Sequence, residues 1–435
     1  MTRHDYEAKI DPSKRARTGL IGNVAPEEDG NPALAEWDSA SLIQPDMEMV
    51  RQYRLDRVRA ELKSRDLAGC ILFDPVNIRY ATDATNMQVW CMHNAVRYAY
   101  VSVEGPVALF DFARCDHLTD HLRLITERRP ATSWFYFENG PREKELVHKW
   151  AGELADLIRS HAGSGNQRIA VDKCEQDGID ALAQRGITAV PSCDFMEHAR
   201  YVKHGEEIKA MRRSVNTTEM AMAEMWRQLK PGMTENQLWS ILHQVNIARG
   251  GEWIETRLLS SGPRTNPWMA ECSDRIIQAG DMISFDTDLI GPYGYCTDIS
   301  RGWVTPGKAP TNEQRNLHAI AREMISYNID LVKPGMTFRE LADKTYQLSD
   351  EFIPNRYAVI AHGVGLADEY PAIRYAEDWE KYGYDGVIEA NTVLSFESYA
   401  GRVGGHEGIK LENQVLVTET STEVLDTFSM DLVPE

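Results

Sequence analysis

Acidic side chains recur next to apolar, strand-like runs in the second half of the chain. The segment 280–303, GDMISFDTDLIGPYGYCTDISRGW, carries Asp286 and Asp288 directly after an apolar run and Asp298 beyond a Gly-Pro-Tyr-Gly turn. A hairpin would bring these carboxylates to one end, where like charges raise one another's pKa unless cations neutralise them. Divalent metal ions favour such oxygen ligands. A solvated acidic hairpin would show the same pattern.

Three further segments add one chemically useful residue each. His362 follows apolar residues in AVIAHGVGLADEYP and precedes a Gly-x-Gly turn, where we expect the backbone to approach a ligand. Glu397 ends the apolar run TVLSFE, and Glu412 stands inside GIKLENQVLV. A glutamate buried in such a strand needs a partner because an unpaired buried charge is costly. The whole set predicts a metal centre of carboxylates and one imidazole.

The elements that must position these residues divide into domains. A chain of 435 residues exceeds the size at which one hydrophobic core stops growing, so we expect two domains. Residues 1–45 are polar and predict an arm that packs on a neighbouring surface. Residues 46–200 alternate between helical and strand-like patterns. A long helix starting near Met196 marks the boundary to a catalytic domain over 201–435.

A five-residue sequence is repeated within the predicted catalytic domain. The sequence KPGMT occurs at Lys230–Thr234 and again at Lys333–Thr337. Pro-Gly ends one helix and Thr caps the next, so each copy predicts a helix–turn–helix corner. The recurrence favours a duplicated half-domain over chance reuse of one turn.

Composition restricts the partners and the compartment. The net charge is −19 and we find no basic stripe, which argues against nucleic acid and anionic membranes as partners. No apolar run approaches the ~20 residues of a membrane span. The first twenty residues lack the apolar segment of a secretory signal. Seven scattered cysteines without a CxxC pair indicate reduced thiols, so we expect a cytoplasmic protein.

The order Asp…GYxxDxxR…HGxGL…E…GxxxEN resembles the metallopeptidase family of methionine aminopeptidase, prolidase, aminopeptidase P and creatinase. The resemblance runs from Tyr201 to Thr427, and NIRYAT (77–82) resembles the smaller N-terminal domain of its members. It implies an α+β protein, in which a creatinase-like α/β domain precedes a pita-bread domain with two pseudo-twofold halves. It also implies two metal ions, with iron favoured and Mn, Zn or Co open. The ligands carried over are Asp286 or Asp288, Asp298, His362, Glu397 and Glu412, of which we expect Asp298 and Glu412 to bridge the ions.

Departures from the peptidase pattern bear on the reaction. Asp368 stands where peptidases have a second histidine in HGxGLxxHExP, and Trp268 stands in the slot of a substrate-contacting histidine. Glu397 is followed by Ser-Tyr instead of Pro-Gly, and Asp288 adds a carboxylate. Two substrate-handling histidines are absent, which makes peptide hydrolysis doubtful.

The remaining groups suit a different reaction. An aspartate is a base, a tryptophan face suits a cation such as a sulfonium, and metal ions can acidify the proton next to a carboxylate. The whole chain resembles the bacterial dimethylsulfoniopropionate lyases built on this fold. That resemblance implies cleavage of dimethylsulfoniopropionate (DMSP) to dimethyl sulfide and acrylate, with Asp368 as the base and Trp268 and Tyr357 in the substrate pocket.

Two other functions stay open at this stage. One is an Xaa-Pro dipeptidase or creatinase-like hydrolase, with Asp368 or His406 as the proton shuttle. The other is a binding protein that has lost its metals, although all five ligand positions are retained. Whichever of these functions the protein has, we expect a homodimer. The segment 77–94 is predicted to be a long aromatic loop, and in prolidase and creatinase relatives the matching domain reaches a neighbour's active site, as Trp90 would here.

Overall fold

The chain forms two compact units in a computed structural model that describes residues 31–162 and 165–434. The first unit comprises Asp46–Arg200. The second comprises Tyr201 onwards together with the segment before Asp46. Most of the predicted N-terminal arm, residues 1–30, lies outside the described residues, as do the residues examined for a secretory signal.

The helices and strands are named here in chain order. The helices are α1 (Pro32–Ser39), α2 (Met47–Ser64), α3 (Pro75–Thr82), α4 (Gln88–Cys91), α5 (Tyr136–Asn139), α6 (Glu143–Ala162), α7 (Gln176–Gln184), α8 (Asp194–Tyr201), α9 (Gly205–Gln228), α10 (Glu235–Ala248), α11 (Asn312–Leu331), α12 (Phe338–Lys344) and α13 (Trp379–Tyr382). The strands of the first unit are β1 (Gly69–Leu72), β2 (Tyr98–Ser102), β3 (Val107–Asp111), β4 (Glu127–Pro130), β5 (Arg168–Val171) and β6 (Thr188–Pro191). Those of the second unit are β7 (Trp253–Ile254), β8 (Leu259–Ser261), β9 (Met282–Asp286), β10 (Leu289–Ile290), β11 (Cys296–Thr297), β12 (Ser300–Val304), β13 (Ala361–Val364), β14 (Asp368–Ile373), β15 (Val393–Ala400), β16 (Ile409–Val417) and β17 (Thr422–Val424).

The N-terminal unit is an α/β domain around one mixed sheet of order β4-β3-β2-β1-β5-β6. Its strands are short, the central ones are apolar, and α6 covers the sheet with a buried face centred on Trp150. The prediction of a long aromatic loop over 77–94 is wrong. Asp74 caps helix α3, which buries Ile78 and Tyr80, and a second helical turn, α4, follows at Gln88–Cys91.

The segment before Asp46 packs on the catalytic unit. Trp37 of α1 is fully buried, and its indole N–H donates to the carbonyl of Arg213 at 3.1 Å. The Arg213 guanidinium lies 4.7 Å from the centre of the Trp37 ring, a cation–π contact. Glu36 accepts two hydrogen bonds from Arg249 at 2.7 and 2.6 Å. The described part of the arm is therefore held by one aromatic anchor and one bidentate ion pair.

The helix expected at the boundary is two helices. Helix α8 ends at Tyr201, and α9 begins at Gly205 after a short extended segment. His204 is the reason for the break, because its Nδ1 accepts the amide of Glu206 while Glu207 accepts the amide of His204. This reciprocal cap starts a new helix that a periodic pattern alone does not reveal.

The catalytic unit contains a five-stranded antiparallel sheet of order β14-β13-β15-β16-β17. Beside it lie two three-stranded sheets of orders β12-β9-β8 and β11-β10-β7. Strand β16 packs against the β12-β9-β8 sheet, where the amide of Lys410 donates to Ser284 Oγ at 2.9 Å. Strands β9, β15 and β16 are buried along their length, as in a layer covered on both faces.

The two KPGMT corners have the same structure. Thr234 and Thr337 cap helices α10 and α12, each in a reciprocal capping box. In both corners the central glycine donates its amide to an isoleucine carbonyl, Gly232 to Ile277 and Gly335 to Ile388. Both glycines have positive φ, 95° and 88°, which a residue with a Cβ adopts only at a cost. The repeated pairing accords with a duplicated half-domain.

Within the described ranges, no helix is both long and apolar enough to cross a membrane.

Candidate metal centre

The hairpin predicted over 280–303 forms, and it brings two of its three aspartates together. Strands β9 and β12 pair with Asp286 opposite Ser300, and the short strands β10 and β11 continue the hairpin towards its turn. Asp286 and Asp298 are both almost fully buried. Asp288 lies beyond the end of β9 with a positive φ of 35°, and its carboxylate accepts a hydrogen bond from Thr256.

His362 lies inside strand β13 and not after a strand, as the apolar pattern had indicated. Its backbone pairs with Ser395 on one side and Ala372 on the other. The imidazole Nδ1 is 3.1 Å from the carbonyl of Gly363, while Nε2 is 3.0 Å from Asp298 Oδ2. A proton on Nδ1 donates to that carbonyl and leaves the Nε2 lone pair facing the carboxylates, as in histidines that bind metals.

The glycines after His362 serve strand packing. A Cβ at Gly363 would collide with the backbone of Glu369 and Tyr370, and one at Gly365 would collide with the Glu369 carboxylate. Tight pairing of β13 with β14 therefore requires them. The expectation that they also admit a ligand to the backbone stays a prediction.

Glu397 and Glu412 face each other across two central strands. They are directly opposite in the register of β15 and β16, and both are buried. Glu397 was expected at the end of its strand, but β15 continues to Ala400 and places it in the interior. Like charges directly opposite destabilise a sheet, so this pair needs positive charge nearby.

The cluster is dense enough to hold metal ions. Three groups have ligand atoms within 4.8 Å of one another, and Asp298, His362 and Glu412 each belong to two of them. The groups are Asp286–Asp298–Glu412, His362–Glu397–Glu412 and Asp298–His362–Asp368. Asp288 is not part of any of these groups. The sequence therefore predicted five of the clustered ligand candidates.

Several oxygens of the cluster are buried without a hydrogen-bond donor among the described residues. They are Asp286 Oδ1, Asp298 Oδ1, Glu397 Oε1 and Glu412 Oε1. Buried oxygens without donors are rare in proteins, and a cation would satisfy all of them. The donor set of carboxylates and one imidazole fits divalent or transition-metal ions.

The electrostatics of the cluster also indicate a site for cations. Burial raises the pKa of Asp298, and nearby Glu412 and Asp286 raise it further. Burial raises the pKa of Glu412 too, with Asp286 and Glu397 adding to the effect. Asp286 differs, because the Lys410 ammonium and hydrogen bonds within the cluster outweigh its burial and hold its pKa below the usual range. Carboxylates that resist ionisation together are stabilised when cations bind.

Lys410 is the main feature that sequence reasoning missed. Its ammonium is fully buried and lies 3.0 Å from Asp286, 2.5 Å from Glu397 and 3.0 Å from Glu412. The sequence contains a signal for it, because Lys410 is two residues before Glu412. Side chains alternate along a strand, so the two residues lie on the same face. Ser300, two residues after Asp298, was missed in the same way and accepts from Lys410 at 2.8 Å.

Asp368 begins strand β14 next to the cluster. It is solvent-accessible, yet its carboxylate lies in dense surroundings that raise its pKa, and Asp286 and Glu397 also raise it while His362 lowers it. The thiol of Cys296 is 3.8 Å from Oδ1. On the opposite face of β14, Glu369 forms a buried ion pair with Lys203. The strand that carries Asp368 is therefore held by an ion pair on its other face.

The expected aromatic residues also lie at the cluster. Lys410 Nζ is 4.7 Å from the centre of the Tyr357 ring and 5.8 Å from that of Trp268. Tyr357 precedes β13 in a loop, so the alternation of a strand does not govern which way it points. Trp268 is mostly buried beside Tyr399. His406 is exposed in the loop between β15 and β16 and is not part of the three groups.

Comparison with known families assigns both units. Residues 54–202 match the creatinase/prolidase N-terminal domain, and residues 209–419 match metallopeptidase family M24. An Xaa-Pro dipeptidase from Bacillus anthracis has the same fold, with a TM-score of 0.72 and 18% identity over 88% of this chain and 99% of that one.

Two proteins named dimethylsulfoniopropionate lyase DddP are similar along the whole chain. The one from Roseovarius nubinhibens is 40% identical, covering 99% of this chain and 99% of that protein. The one from Roseobacter denitrificans is 38% identical, covering 99% and 98%. The chain therefore belongs to the family of the DddP dimethylsulfoniopropionate lyases and has their α+β fold, a creatinase-type N-terminal domain followed by an M24 pita-bread domain.

Proposed function

We propose that this protein cleaves DMSP into dimethyl sulfide and acrylate by removing an α-proton and eliminating the sulfonium group. The observation that carries the proposal is the site itself, in which Asp368 stands beside a buried cluster of carboxylates around one histidine. Identity of 40% to a DMSP lyase over nearly the whole chain supports the substrate.

The cluster would hold two metal ions. Asp298 and Glu412 would bridge them, since each belongs to two of the three candidate groups and, unlike His362, offers two carboxylate oxygens. His362 and Glu397 would complete the coordination of one ion, and Asp286 and Asp288 would complete that of the other. Iron is favoured over Mn, Zn or Co. When bound, such ions attract the substrate carboxylate and make the adjacent C–H bond more acidic.

Asp368 would act as the general base. Its carboxylate takes the proton from the carbon next to the substrate carboxylate, and the C–H electron pair becomes the new carbon–carbon double bond. The bond from the β-carbon to sulfur breaks, and dimethyl sulfide leaves with the electron pair of that carbon–sulfur bond. A raised pKa makes Asp368 a stronger base than a fully solvated aspartate. The proton then returns to solvent, to which Asp368 is exposed.

Tyr357 and Trp268 would bind the sulfonium end of the substrate. A ring face attracts a cation without acidic hydrogens, and both rings already lie near a cation, the Lys410 ammonium. The faces turned towards Lys410 are therefore in use, and the sulfonium group would contact the remaining ring faces.

We also propose a cytoplasmic homodimer. Residues around Trp90 expose an apolar patch made of Met87, Val89, Met92, Tyr136 and Phe137, and such patches on soluble proteins mark interaction surfaces. The cytoplasmic location is supported by the scattered, unpaired cysteines, and cell fractionation that finds the protein in the periplasm would contradict it.

The experiment that tests the function compares two substrate classes. Metal-loaded enzyme is incubated with DMSP and, separately, with dipeptides containing proline, while gas chromatography follows dimethyl sulfide and amino-acid analysis follows free proline. We expect dimethyl sulfide only. Free proline without dimethyl sulfide would make the protein a dipeptidase, and neither product would favour a binding protein.

The first prediction concerns the metals. Elemental analysis of the native enzyme should find about two ions per chain, as in other two-metal sites. Asp298→Ala should lose them while keeping the fold, because one bridging ligand is gone and the remaining carboxylates repel less. Asp343→Ala, on the exposed face of α12, is the control and should keep both ions. An active wild-type enzyme with one ion or none would refute this prediction.

The second prediction concerns the base. Asp368→Asn nearly preserves volume but cannot accept the α-proton, so turnover should fall by roughly 100-fold or more. Metal content and substrate affinity should stay close to those of wild type, as should turnover in the control Asp343→Asn. If Asp368→Asn keeps most of its turnover, Asp368 is not the base. If it loses metal, Asp368 is a ligand.

The third prediction concerns the aromatic pocket. Tyr357→Ala should raise KM by about fivefold, as expected for the loss of a cation–π contact worth ~1 kcal/mol. Tyr357→Phe keeps the ring face and should behave like wild type, as should Tyr382→Ala at an exposed site. Values of kcat and KM within twofold of wild type in Tyr357→Ala would remove the residue from the pocket.

The fourth prediction concerns assembly. Light scattering should give the mass of two chains of 49.3 kDa each. Trp90→Ala should lower turnover without loss of metal, since the proposal has Trp90 reach a neighbour's site. A monomeric mass together with activity that does not change on dilution would exclude the dimer.

A further inference from the structure

Lys410 is a cation inside a site that is expected to bind cations. Its side chain is fully buried, and its ammonium contacts three carboxylates and the hydroxyl of Ser300. The Tyr357 and Trp268 rings lie on its remaining sides. An ammonium so enclosed has few alternative positions, so its donors have fixed directions.

The ammonium approaches one particular oxygen of each carboxylate. It lies next to Oδ2 of Asp286, Oε2 of Glu397 and Oε2 of Glu412. The other oxygens, Oδ1 of Asp286 and Oε1 of Glu397 and of Glu412, are buried and receive no hydrogen bond from the part of the chain that the structure describes. Oε1 of Glu397 and Oε1 of Glu412 lie 3.5 and 3.6 Å from the Nε2 atom of His362. Lys410 thus occupies one edge of each carboxylate and leaves the other edge free on the side of the other ligand candidates.

Lys410 also reduces the negative charge of the site. The five carboxylates proposed as ligands carry five negative charges when ionised, Asp368 adds a sixth, and two divalent ions would supply four positive charges. The Lys410 ammonium offsets one of the two negative charges that remain. Buried charges are tolerated when they are paired and hydrogen-bonded, and the contacts of Lys410 with three carboxylates meet that condition for the lysine.

We propose that Lys410 is a positioning residue of the metal centre, which orients Asp286, Glu397 and Glu412 so that their free oxygens bind the ions. It is neither a ligand nor a group that touches the substrate. Ser300 supports it, because its hydroxyl accepts from Lys410 and donates to Oε2 of Glu412 at 2.9 Å. The inference rests on the proposed metal centre and adds a residue outside the ligand set.

A different role for Lys410 makes the opposite prediction. If it served only as a counter-ion, its removal would leave the cluster more negative and would tighten metal binding while destabilising the metal-free protein. If it positions the carboxylates, its removal frees them to rotate and weakens metal binding. The direction of the change in metal affinity therefore separates the two roles.

The test measures metal affinity in the full-length protein. Metal-free wild type, Lys410→Met and Lys203→Met are titrated with Mn²⁺ by calorimetry at one pH, and thermal unfolding establishes that each variant is folded. Methionine nearly preserves the length of lysine and removes its charge. Lys203 is the matched control, since it is also a buried lysine in an ion pair but its partner Glu369 is not among the proposed ligands.

We expect Lys410→Met to raise the Kd for Mn²⁺ by about 10- to 100-fold, the usual effect of losing a group that orients metal ligands. Lys203→Met should bind Mn²⁺ like wild type. Unchanged or tighter binding by Lys410→Met overturns the proposal. Absence of binding by wild type would instead contradict the metal centre itself.

A milder variant decides the matter if Lys410→Met does not fold. Ser300→Ala removes one hydroxyl that holds both the ammonium and Glu412, and it leaves every carboxylate in place. We expect its Kd for Mn²⁺ to rise by a smaller factor than in Lys410→Met. In that case an affinity equal to that of wild type contradicts the proposal.

Discussion

The direct apposition of Glu397 and Glu412 is the constraint that the rest of the candidate metal centre has to meet. Two glutamates side by side in the interior of a sheet repel each other, and burial prevents water from screening them. Such a pair persists only where one carboxyl keeps its proton or where positive charge is built in or bound. Lys410 supplies part of that charge from the same strand as Glu412, and the oxygens that remain without donors indicate where further cations bind.

The surrounding fold holds this repulsive set in place through its backbone. The β9–β12 hairpin carries Asp286 and Asp298, and Ser395 Oγ donates to the carbonyl of Asp298 at 3.0 Å. Arg301 donates to the carbonyl of Glu412 at 2.7 Å and is itself paired with Asp426. Because the main chain is anchored independently of the carboxylates, the ligand side chains need not stabilise the fold. This separation lets the site store charge without unfolding the domain.

The sequence was informative where chemistry and strand pattern coincide. Asp286, Asp298, His362, Glu397 and Glu412 were predicted as a cluster because charged residues inside apolar strands demand partners, and they do cluster. The paired KPGMT corners were predicted from their turn residues, and both have the expected caps. What pattern could not supply was the register between distant strands, which decides that Glu397 faces Glu412 and that Lys410 reaches Asp286.

Local detail was lost where a side chain overrides a periodic pattern. His204 splits an apparently continuous helix by capping its second half, and Asp74 starts a helix in a segment that was expected to be a loop. Asp288 stays a proposed ligand on its position in the motif, and the hydrogen bond that its carboxylate accepts from Thr256 is a local detail that the sequence pattern does not reveal.

We propose that the metal-binding unit releases dimethyl sulfide from DMSP by elimination. Dimethyl sulfide alone does not establish an elimination, because displacement of the sulfonium group by water would release the same product. The second product does, since elimination yields acrylate and displacement yields 3-hydroxypropionate. Proton NMR of the reaction mixture distinguishes the two. We expect acrylate in amounts equal to dimethyl sulfide, and 3-hydroxypropionate in its place would contradict elimination.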